Sequence, residues 1–353
     1  MRKYDLGAEG EKLLSSKIVN IISSLHEYRG VQNLHIKEKK NLLVGLLNLA
    51  KIQSVEYSNK IEGIKTKSER IKILVNKEDK PQTRDEEEIV GYRDVLEMIH
   101  ESYSKIPITP SVILQFHKML YKHSNNYSGN FKTTDNVIEE LDKEGNKKIR
   151  FKPVSAFETE RAINELCLSY NKEIKKGEID SLLLIVIFVF DFLSIHPFSD
   201  GNGRISRLLT LLLLYQNNYD VGKYISLEKL IENTKEEYYE VLKKSSKNWH
   251  ENKSDYSHFA EYYLKIIQKA NVSFENRIEY IRNNKLTVKN RVRDILINSD
   301  EAMTKTEIAK IMLDVHEGSV ERALYELQKE NTIIKLSGGR ATNYIAKKCK
   351  PSN

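Results

Sequence analysis

The chain has 353 residues, a formal net charge of +7 and a sequence pI near 9.0. This length exceeds one typical domain, so two or three structural units are expected, and the mild basic excess favours anionic partners. The two cysteines, Cys167 and Cys349, are too few for a disulfide framework or a zinc site, which fits a reducing cytosol. The longest apolar run, residues 182–190, is far shorter than the ~20 residues that span a bilayer, and the first residues lack the apolar core of a signal peptide. The composition therefore predicts a cytoplasmic protein with no membrane partner and with two structural thiols.

Sparse Pro and Gly, abundant Lys, Glu and Leu, and the lack of an internal repeat predict a mainly α-helical protein. The patterns along the chain divide it into an N-terminal helical region at residues 1–105, a core at residues 106–270 and a smaller C-terminal domain at residues 285–350.

A predicted helix near residue 60 ends on an unusual charge. Residues 49–61 have helical composition, and Gly63 suits the position after a helix end, so Glu62 falls in the last turn. A carboxylate there faces the negative end of the helix dipole and loses roughly 0.3 to 1 kcal/mol unless a cation compensates. We therefore expect an Arg to contact Glu62, with Ser58 on the same face helping to orient the helix end. The alternative is a solvated Glu before a capping Gly.

Two amphipathic helices are predicted next. Residues 84–99 place acidic side chains first and apolar side chains at helical spacing. Thr109 as N-cap and Pro110 in the first turn open the following helix. On that helix, His117 is expected to pack or hydrogen-bond rather than to catalyse.

The period changes between residues 131 and 151. Residues 136–138 and 149–151 predict two short strands joined by the turn-rich residues 142–146. The alternative to a functional hairpin is an ordinary surface hairpin.

Residues 196–207 read HPFSDGNGRISR and form the most informative segment of the chain. Apolar runs at residues 182–190 and 208–214 flank it, which predicts a loop between two buried helices. A buried loop with this much charge requires a charged partner. Gly201 and Gly203 permit a turn whose amides, with the start of the next helix, form a phosphate-binding concavity.

The side chains of this segment fit a nucleoside triphosphate. Arg204 and Arg207 share a helix face and can fork onto neighbouring phosphates. Asp200 suits Mg²⁺, which takes one or two carboxylates together with phosphate oxygens. His196, with an ordinary pKa near ~6.5, suits a general base for a hydroxyl nucleophile. The alternative is a helix-ending Pro followed by a surface turn.

The C-terminal pattern predicts helices at residues 291–298, 304–313 and 319–330, then strands at residues 332–336 and 343–346 around a Gly338-Gly339 turn. Three helices followed by a two-stranded ribbon indicate a winged helix. DNA binding follows only by analogy, because the candidate recognition helix at residues 317–330 is rich in Glu, which opposes phosphate neutralisation. A protein-recruiting or dimerising module is the favoured alternative, although the ribbon carries cations that suit a DNA backbone: Lys335, Arg340, Lys347 and Lys348.

Over residues 45–265 the chain resembles Fic-domain proteins. Residues 196–207 match every specified position of their signature, H-x-F-x-(D or E)-G-N-G-R-x-x-R. The resemblance implies a Fic-type helical bundle with a β-hairpin flap, and transfer of AMP from ATP to a Ser, Thr or Tyr hydroxyl of a target protein. It implies that His196 deprotonates the hydroxyl and that Asp200 holds Mg²⁺. It further implies phosphate contacts, with Asn202 and the Gly201 and Gly203 amides on the α-phosphate, Arg204 on the β-phosphate and Arg207 on the γ-phosphate.

Three further segments carry the resemblance. Residues 58–63 match the inhibitory motif (Ser or Thr)-x-x-x-Glu-(Gly or Asn), which implies that Glu62 pairs with Arg207 and withholds it from ATP, and allows Glu62 to align water for AMP removal. The hairpin corresponds to the flap, so that Val137 and Ile138 would contact nucleotide or target. Residues 129–132 resemble G-x-(F or Y)-R, with Lys132 in place of the Arg. Residues 237–242 resemble the segment lining the adenine pocket, which leaves Tyr238 either stacked on the base or in the core.

Two classes of function follow. In the first, the protein is an autoinhibited adenylyltransferase that uses ATP and Mg²⁺, modifies a target protein or itself, forms a homodimer and recruits targets through its C-terminal domain. In the second, it is a DNA-binding regulator whose Fic domain senses nucleotide. The first is favoured.

Overall fold

A computed structural model of the chain describes residues 2–38, 40–64, 66–124, 128–141, 147–283, 287–297, 299, 302–312, 315–337 and 342–347. The predicted turns at residues 142–146 and at Gly338-Gly339, together with Arg340, Lys348 and Cys349, lie outside these residues. The described chain is mainly helical, with one small hairpin and a small C-terminal sheet, and this confirms the predicted fold class. No described helix combines the length and apolarity needed to cross a membrane.

The chain divides into two compact units. The first contains Met1–Gly30 and Ala50–Asn271, and the second contains Val31–Leu49 and Val272–Asn353. Each boundary between these segments along the sequence falls within a long helix. The helices up to residue 120 are α1 (Leu6–Lys12), α2 (Ser16–Glu38), α3 (Lys40–Ile61), α4 (Ser68–Val75), α5 (Arg84–Ser102) and α6 (Pro110–Leu120).

Local capping signals begin these helices where the sequence predicts. The Thr83 side chain accepts a hydrogen bond from the Glu86 amide at the start of α5. The Thr109 side chain accepts from the Val112 amide at the start of α6, with Pro110 in the first turn as predicted.

The remaining elements of the first unit surround a hydrophobic helix. They are β1 (Ile138–Leu141), β2 (Lys147–Phe151), α7 (Ala156–Lys176), α8 (Ser181–Ile195), α9 (Asn202–Gln216), α10 (Leu227–Glu232), α11 (Lys235–Ser245) and α12 (Ser257–Asn283). Residues 182–190 of α8 are all buried, and α8 packs against α7 and α9, so the predicted apolar runs form the core. Strands β1 and β2 pair antiparallel with a register shift between Ile138 and Glu139.

A buried ion pair anchors the start of the chain to α8. The Arg2 guanidinium donates to the Asp191 carboxylate at 3.3 Å and to the Tyr256 hydroxyl, and lies 4.7 Å from the centre of the Trp249 ring. Asp191 also accepts from the Trp249 indole at 2.7 Å and the Tyr256 hydroxyl at 2.7 Å. The carboxylate that interrupts the apolar run is thus satisfied inside the core. Cys167 is also buried, which fits its predicted structural role.

The second unit contains a small domain of helix–strand–helix–helix–strand–strand order. Its elements are α13 (Val288–Ile297), β3 (Met303–Thr304), α14 (Lys305–Ile311), α15 (Glu317–Lys329), β4 (Ile333–Ser337) and β5 (Thr342–Ala346). The strands form an antiparallel sheet in the order β3-β5-β4, over a core that includes Val292, Ile308 and Leu327. The predicted helices and ribbon are present, but the sequence reading missed β3, because two residues are too few to show alternation.

Candidate functional site

The loop between α8 and α9 presents His196 as a neutral base. His196 caps α8 in the left-handed region at φ 52°, and its amide donates to the Phe192 carbonyl at 3.0 Å. Its ring Nδ1 lies 3.3 Å from the Leu193 carbonyl oxygen. Because a carbonyl oxygen can only accept, Nδ1 carries the proton and Nε2 keeps its lone pair. Burial, aided by the nearby positive charge of Lys132, lowers the pKa of His196 to about 4.

The Gly-Asn-Gly turn is held by its own side chains. Gly201 has φ 80° at the N-cap of α9, a conformation that favours glycine. The Asn202 side chain accepts from the Phe198 amide at 2.9 Å and donates to the Phe198 carbonyl at 2.8 Å. Asp200 accepts from the Gly201 amide at 2.6 Å, and its side chain is 65% exposed. The turn therefore has a fixed shape and an accessible carboxylate beside a helix N-terminus.

A buried lysine and an asparagine from the segment before β1 hold the same loop. Lys132 donates to the Ile195 carbonyl at 3.2 Å and to the Asn136 side-chain oxygen at 2.8 Å. The Asn136 amide group donates to the Phe198 carbonyl at 3.0 Å and to the His196 carbonyl at 3.4 Å. Burial lowers the pKa of Lys132 to about 8. Sequence reasoning recognised the Lys132 position but missed Asn136, whose role depends on a distant backbone.

His117 packs under the loop, as predicted. Its ring stacks on Phe198 with 3.8 Å between ring centroids and 7° between planes. Its Nδ1 accepts from the Gly129 amide at 3.0 Å, and its Nε2 lies 3.3 Å from the Asp200 carbonyl. Both nitrogens are therefore engaged in holding backbone.

The two arginines of α9 contact different partners. Arg204 is 1% exposed and donates to the Glu88 carboxylate at 2.6 Å and to the Tyr121 hydroxyl at 2.7 Å. Arg207 is also buried, and its Nε donates to the Ser58 hydroxyl at 2.8 Å. Sequence reasoning missed Glu88 and Tyr121, because they come from α5 and from the end of α6.

Glu62 contacts Arg207, which confirms the prediction that an Arg compensates this carboxylate. The Arg207 guanidinium donates to Glu62 Oε1 at 2.8 Å and to the Ser58 carbonyl at 2.9 Å. The Gly63 amide donates to the Lys60 carbonyl at 3.0 Å, and Gly63 has φ 86°. Helix α3 therefore ends at Ile61 with a capped turn that fixes Glu62 directly after its last residue.

The same carboxylate touches the glycine turn. A Cβ built on Gly203 would lie 2.1 Å from Glu62 Oε1, a distance that real Cβ atoms do not adopt. Glycine at this position therefore lets Glu62 reach both α9 and Arg207.

A cavity of about 620 Å³ is lined in part by Glu62, Gly203 and Arg207. This volume is within the range of small-molecule sites. The loop between α8 and α9 contributes His196 to its lining, α9 contributes Gly203 and Arg207, and the hairpin contributes Ile138 and Arg150. The predicted base, two predicted phosphate ligands and the hairpin thus face one space.

Two predicted nucleotide contacts have mixed positions. Val137 precedes β1, is 43% exposed and is not among the cavity-lining residues, unlike its neighbour Ile138. Tyr238 on α11 lines the cavity, yet it is 3% exposed and packs against Tyr239 and Tyr262 at ring-centroid distances of 5.4 and 5.9 Å. Tyr238 therefore belongs to the core and to the cavity wall at once.

Comparison with known proteins agrees with this geometry. Residues 107–214 match the model of the Fic/DOC family. A Fic family protein from Desulfovibrio desulfuricans superposes over 96% of this chain and 98% of its own, with a TM-score of 0.59 and 17% identity. A Fic domain containing signaling protein from Bacteroides thetaiotaomicron superposes over 74% of this chain and 97% of its own, with a TM-score of 0.56 and 22% identity. Fic-1 from C. elegans covers 76% of this chain and 75% of its own, with a TM-score of 0.56 and 17% identity.

Proposed function

Because this chain carries a Fic/DOC family domain and has the Fic fold, we propose that it is a protein adenylyltransferase. It transfers AMP from ATP to a Ser, Thr or Tyr hydroxyl of a target protein. The observation that carries the proposal is that His196, whose Nδ1 is held by the Leu193 carbonyl so that Nε2 keeps its lone pair, lines the same cavity as Gly203 and Arg207. A base beside a phosphate-binding helix N-terminus suits attack by a hydroxyl on a phosphorus atom.

The proposed step uses each group of the loop in turn. Nε2 of His196 accepts the proton of the target hydroxyl, and the hydroxyl oxygen attacks the α-phosphorus. The bond from the α-phosphorus to the oxygen that bridges to the β-phosphorus breaks, and diphosphate leaves. The α-phosphate rests on the first amides of α9, which have no partner within the helix. Because both polar groups of the Asn202 side chain hold Phe198, we assign Asn202 to shaping this turn.

The residues of the loop fit a magnesium ion bound with the nucleotide. Asp200 offers an exposed carboxylate next to the start of α9, where phosphate oxygens would supply further ligands. When bound, Mg²⁺ would neutralise phosphate charge. Arg204 lies 3.7 Å from the Asp200 carboxylate and also pairs with Glu88 at 2.6 Å, so a β-phosphate would share this guanidinium with Glu88.

The contact between Glu62 and Arg207 supports autoinhibition. Arg207 is the guanidinium proposed for the γ-phosphate, and here Glu62 and Ser58 occupy it. ATP then binds without the geometry needed for in-line attack. We further propose that this carboxylate, which lies beside Gly203, aligns a water molecule, so that removal of AMP is a second reaction of the site.

Labelled ATP tests the function. The full chain, Glu62→Gly and His196→Ala are incubated with Mg²⁺ and with ATP labelled on either the α- or the γ-phosphate. We expect α-label on protein, strongest with Glu62→Gly and absent with His196→Ala, and no γ-label. Absence of α-label with Glu62→Gly, on itself and on proteins of a cell extract, would refute the transferase.

DNA binding is the second candidate. The Glu side chains of α15 form ion pairs with Lys305 and Lys289, including Glu321 at 3.0 Å and Glu330 at 2.7 Å. These pairs reduce the repulsion that the sequence predicts for this helix. A gel shift on duplex DNA that weakens steeply with salt would support this candidate. Without it, we assign the small domain to target recruitment or to a homodimer.

A further inference from the structure

Three cations line the cavity, and one differs from the others. Arg207 pairs with Glu62, and Lys243 donates to the Glu140 carboxylate at 2.6 Å. Arg150, on β2, makes no ion pair within 4 Å with any residue that the structure describes, and its Nε is buried and lacks a hydrogen-bond partner there. Among the residues that the structure describes, the hairpin therefore brings to the wall of the site a guanidinium whose Nε has no hydrogen-bond partner.

Burying the Arg150 Nε without a hydrogen-bond partner among the described residues is unfavourable while no ligand is bound. Burial lowers the pKa of the Arg150 guanidinium, because the charged form loses water. Glu140 acts on it at longer range but is already paired with Lys243. The Tyr239 ring, 5.9 Å from the guanidinium, lies at the outer limit of a cation–π contact. An anion from outside the chain would satisfy this group.

The position of Arg150 indicates which anion. Arg150 lines the same cavity as His196, the proposed base, and Gly203, in the first turn of α9. The guanidinium, the base and the helix N-terminus thus border one space. In the proposed reaction, the phosphate beside that base is the α-phosphate of the nucleotide.

We propose that Arg150 is a binding residue for the α-phosphate, contacting it from the hairpin while the first amides of α9 contact it from the helix. This inference rests on the proposed function for the identity of the ligand. The planar fork of a guanidinium suits two oxygens of one phosphate. The hairpin would then bind the group being transferred as well as cover it.

Equilibrium binding of adenosine, AMP and ATP to the full chain tests the assignment. Arg150→Gln is expected to weaken AMP binding about 10- to 100-fold, the range for one charge-assisted hydrogen bond, and to leave adenosine binding unchanged. Arg150→Lys keeps the charge without the planar fork, so its affinity for AMP should lie between those of wild type and Arg150→Gln. Lys148→Gln is the matched control, because it removes an exposed cation from the same strand, and it should leave all three affinities unchanged.

Three results for Arg150→Gln would overturn the assignment. They are equal losses of affinity for adenosine and AMP, an unchanged affinity for AMP, and a loss of affinity for ATP alone. The last result would assign Arg150 to the β- or γ-phosphate. Because Arg150 lacks a protein partner among the described residues, its replacement should leave Tm unchanged or raise it, which separates a binding defect from unfolding. Failure of the proposed function is distinguishable. If wild type binds AMP through Arg150 but Glu62→Gly transfers no α-label to protein, the transferase is wrong and the phosphate site stands.

Discussion

Glu62→Gly is the sharpest test of the inhibitory contact. The substitution removes a charge-assisted hydrogen bond of 2.8 Å to Arg207 but leaves both Ser58 contacts to that guanidinium. A hydrogen bond to a charged group contributes about 1.5 to 3 kcal/mol. Since the Glu62 side chain is 31% exposed, solvent screening favours the lower part of this range. Freeing Arg207 for the γ-phosphate should therefore raise self-modification about 10- to 30-fold.

The assay is the initial rate of α-label incorporation at saturating ATP and Mg²⁺. Glu62→Gln is the matched control, because it keeps the size and an acceptor oxygen but removes the charge, and we expect an intermediate rate. Glu62→Gly should leave Tm nearly unchanged, since Gly suits a helix end. Equal rates for wild type, Glu62→Gln and Glu62→Gly would refute the inhibitory role of the ion pair.

Four further predictions follow from buried polar groups. Since the pKa of His196 is about 4, the rate of α-label incorporation by Glu62→Gly should stay constant from about pH 6 to 8 and fall only as acid protonates the base. A rate that halves near pH 6.5 would contradict this. The pKa of His117 is also lowered to about 4, so the free energy of unfolding should fall as the pH drops from about 6.5 to 4. The decrease should reach up to ~1.4 kcal/mol per pH unit for each of the two rings, His117 and His196. In urea titrations, His117→Gln should reduce this slope. Lys132→Met leaves the Ile195 carbonyl at the end of α8 and the Asn136 side-chain oxygen without their donor. Self-modification should therefore fall at least tenfold and the free energy of unfolding should fall by about 1–3 kcal/mol, whereas Lys132→Arg should retain most activity. Full activity of the Met variant would be inconsistent with a positioning role. Arg2→Ala leaves Asp191 charged and buried, so chemical denaturation should show a free energy of unfolding that is lower by about 3–5 kcal/mol. Adding Asp191→Asn should recover part of this loss. A loss under 1 kcal/mol would contradict the role of the Arg2–Asp191 ion pair.

Local signals in the sequence predicted the parts of the fold that depend on near neighbours. Thr109 and Pro110 start a helix because the cap and the fixed φ act within one turn. The contact made by Glu62 was also predictable, since a carboxylate at a helix C-terminus requires a compensating cation.

The unpredicted parts depend on groups far apart in the chain. Glu88 and Arg204 are separated by 116 residues, and nothing near either one indicates that they meet. Asn136 holds the catalytic loop through backbone carbonyls, which carry no sequence signature. Arg150 shows as an isolated cation only once the surrounding side chains are known. Such pairings follow from the packing of helices and have no periodic pattern.

The close approach of Glu62 to Gly203 limits how the strength of inhibition can evolve. Any side chain at Gly203 displaces the carboxylate, but it also alters the first turn of α9, where the nucleotide is proposed to bind. A change on the loop therefore alters restraint and turnover together. Substitutions at positions 58–63, in contrast, can weaken or strengthen the contact between Glu62 and Arg207 while leaving the loop before α9 intact. Homologues that differ in basal activity are accordingly expected to vary at the end of α3 and to keep the glycine.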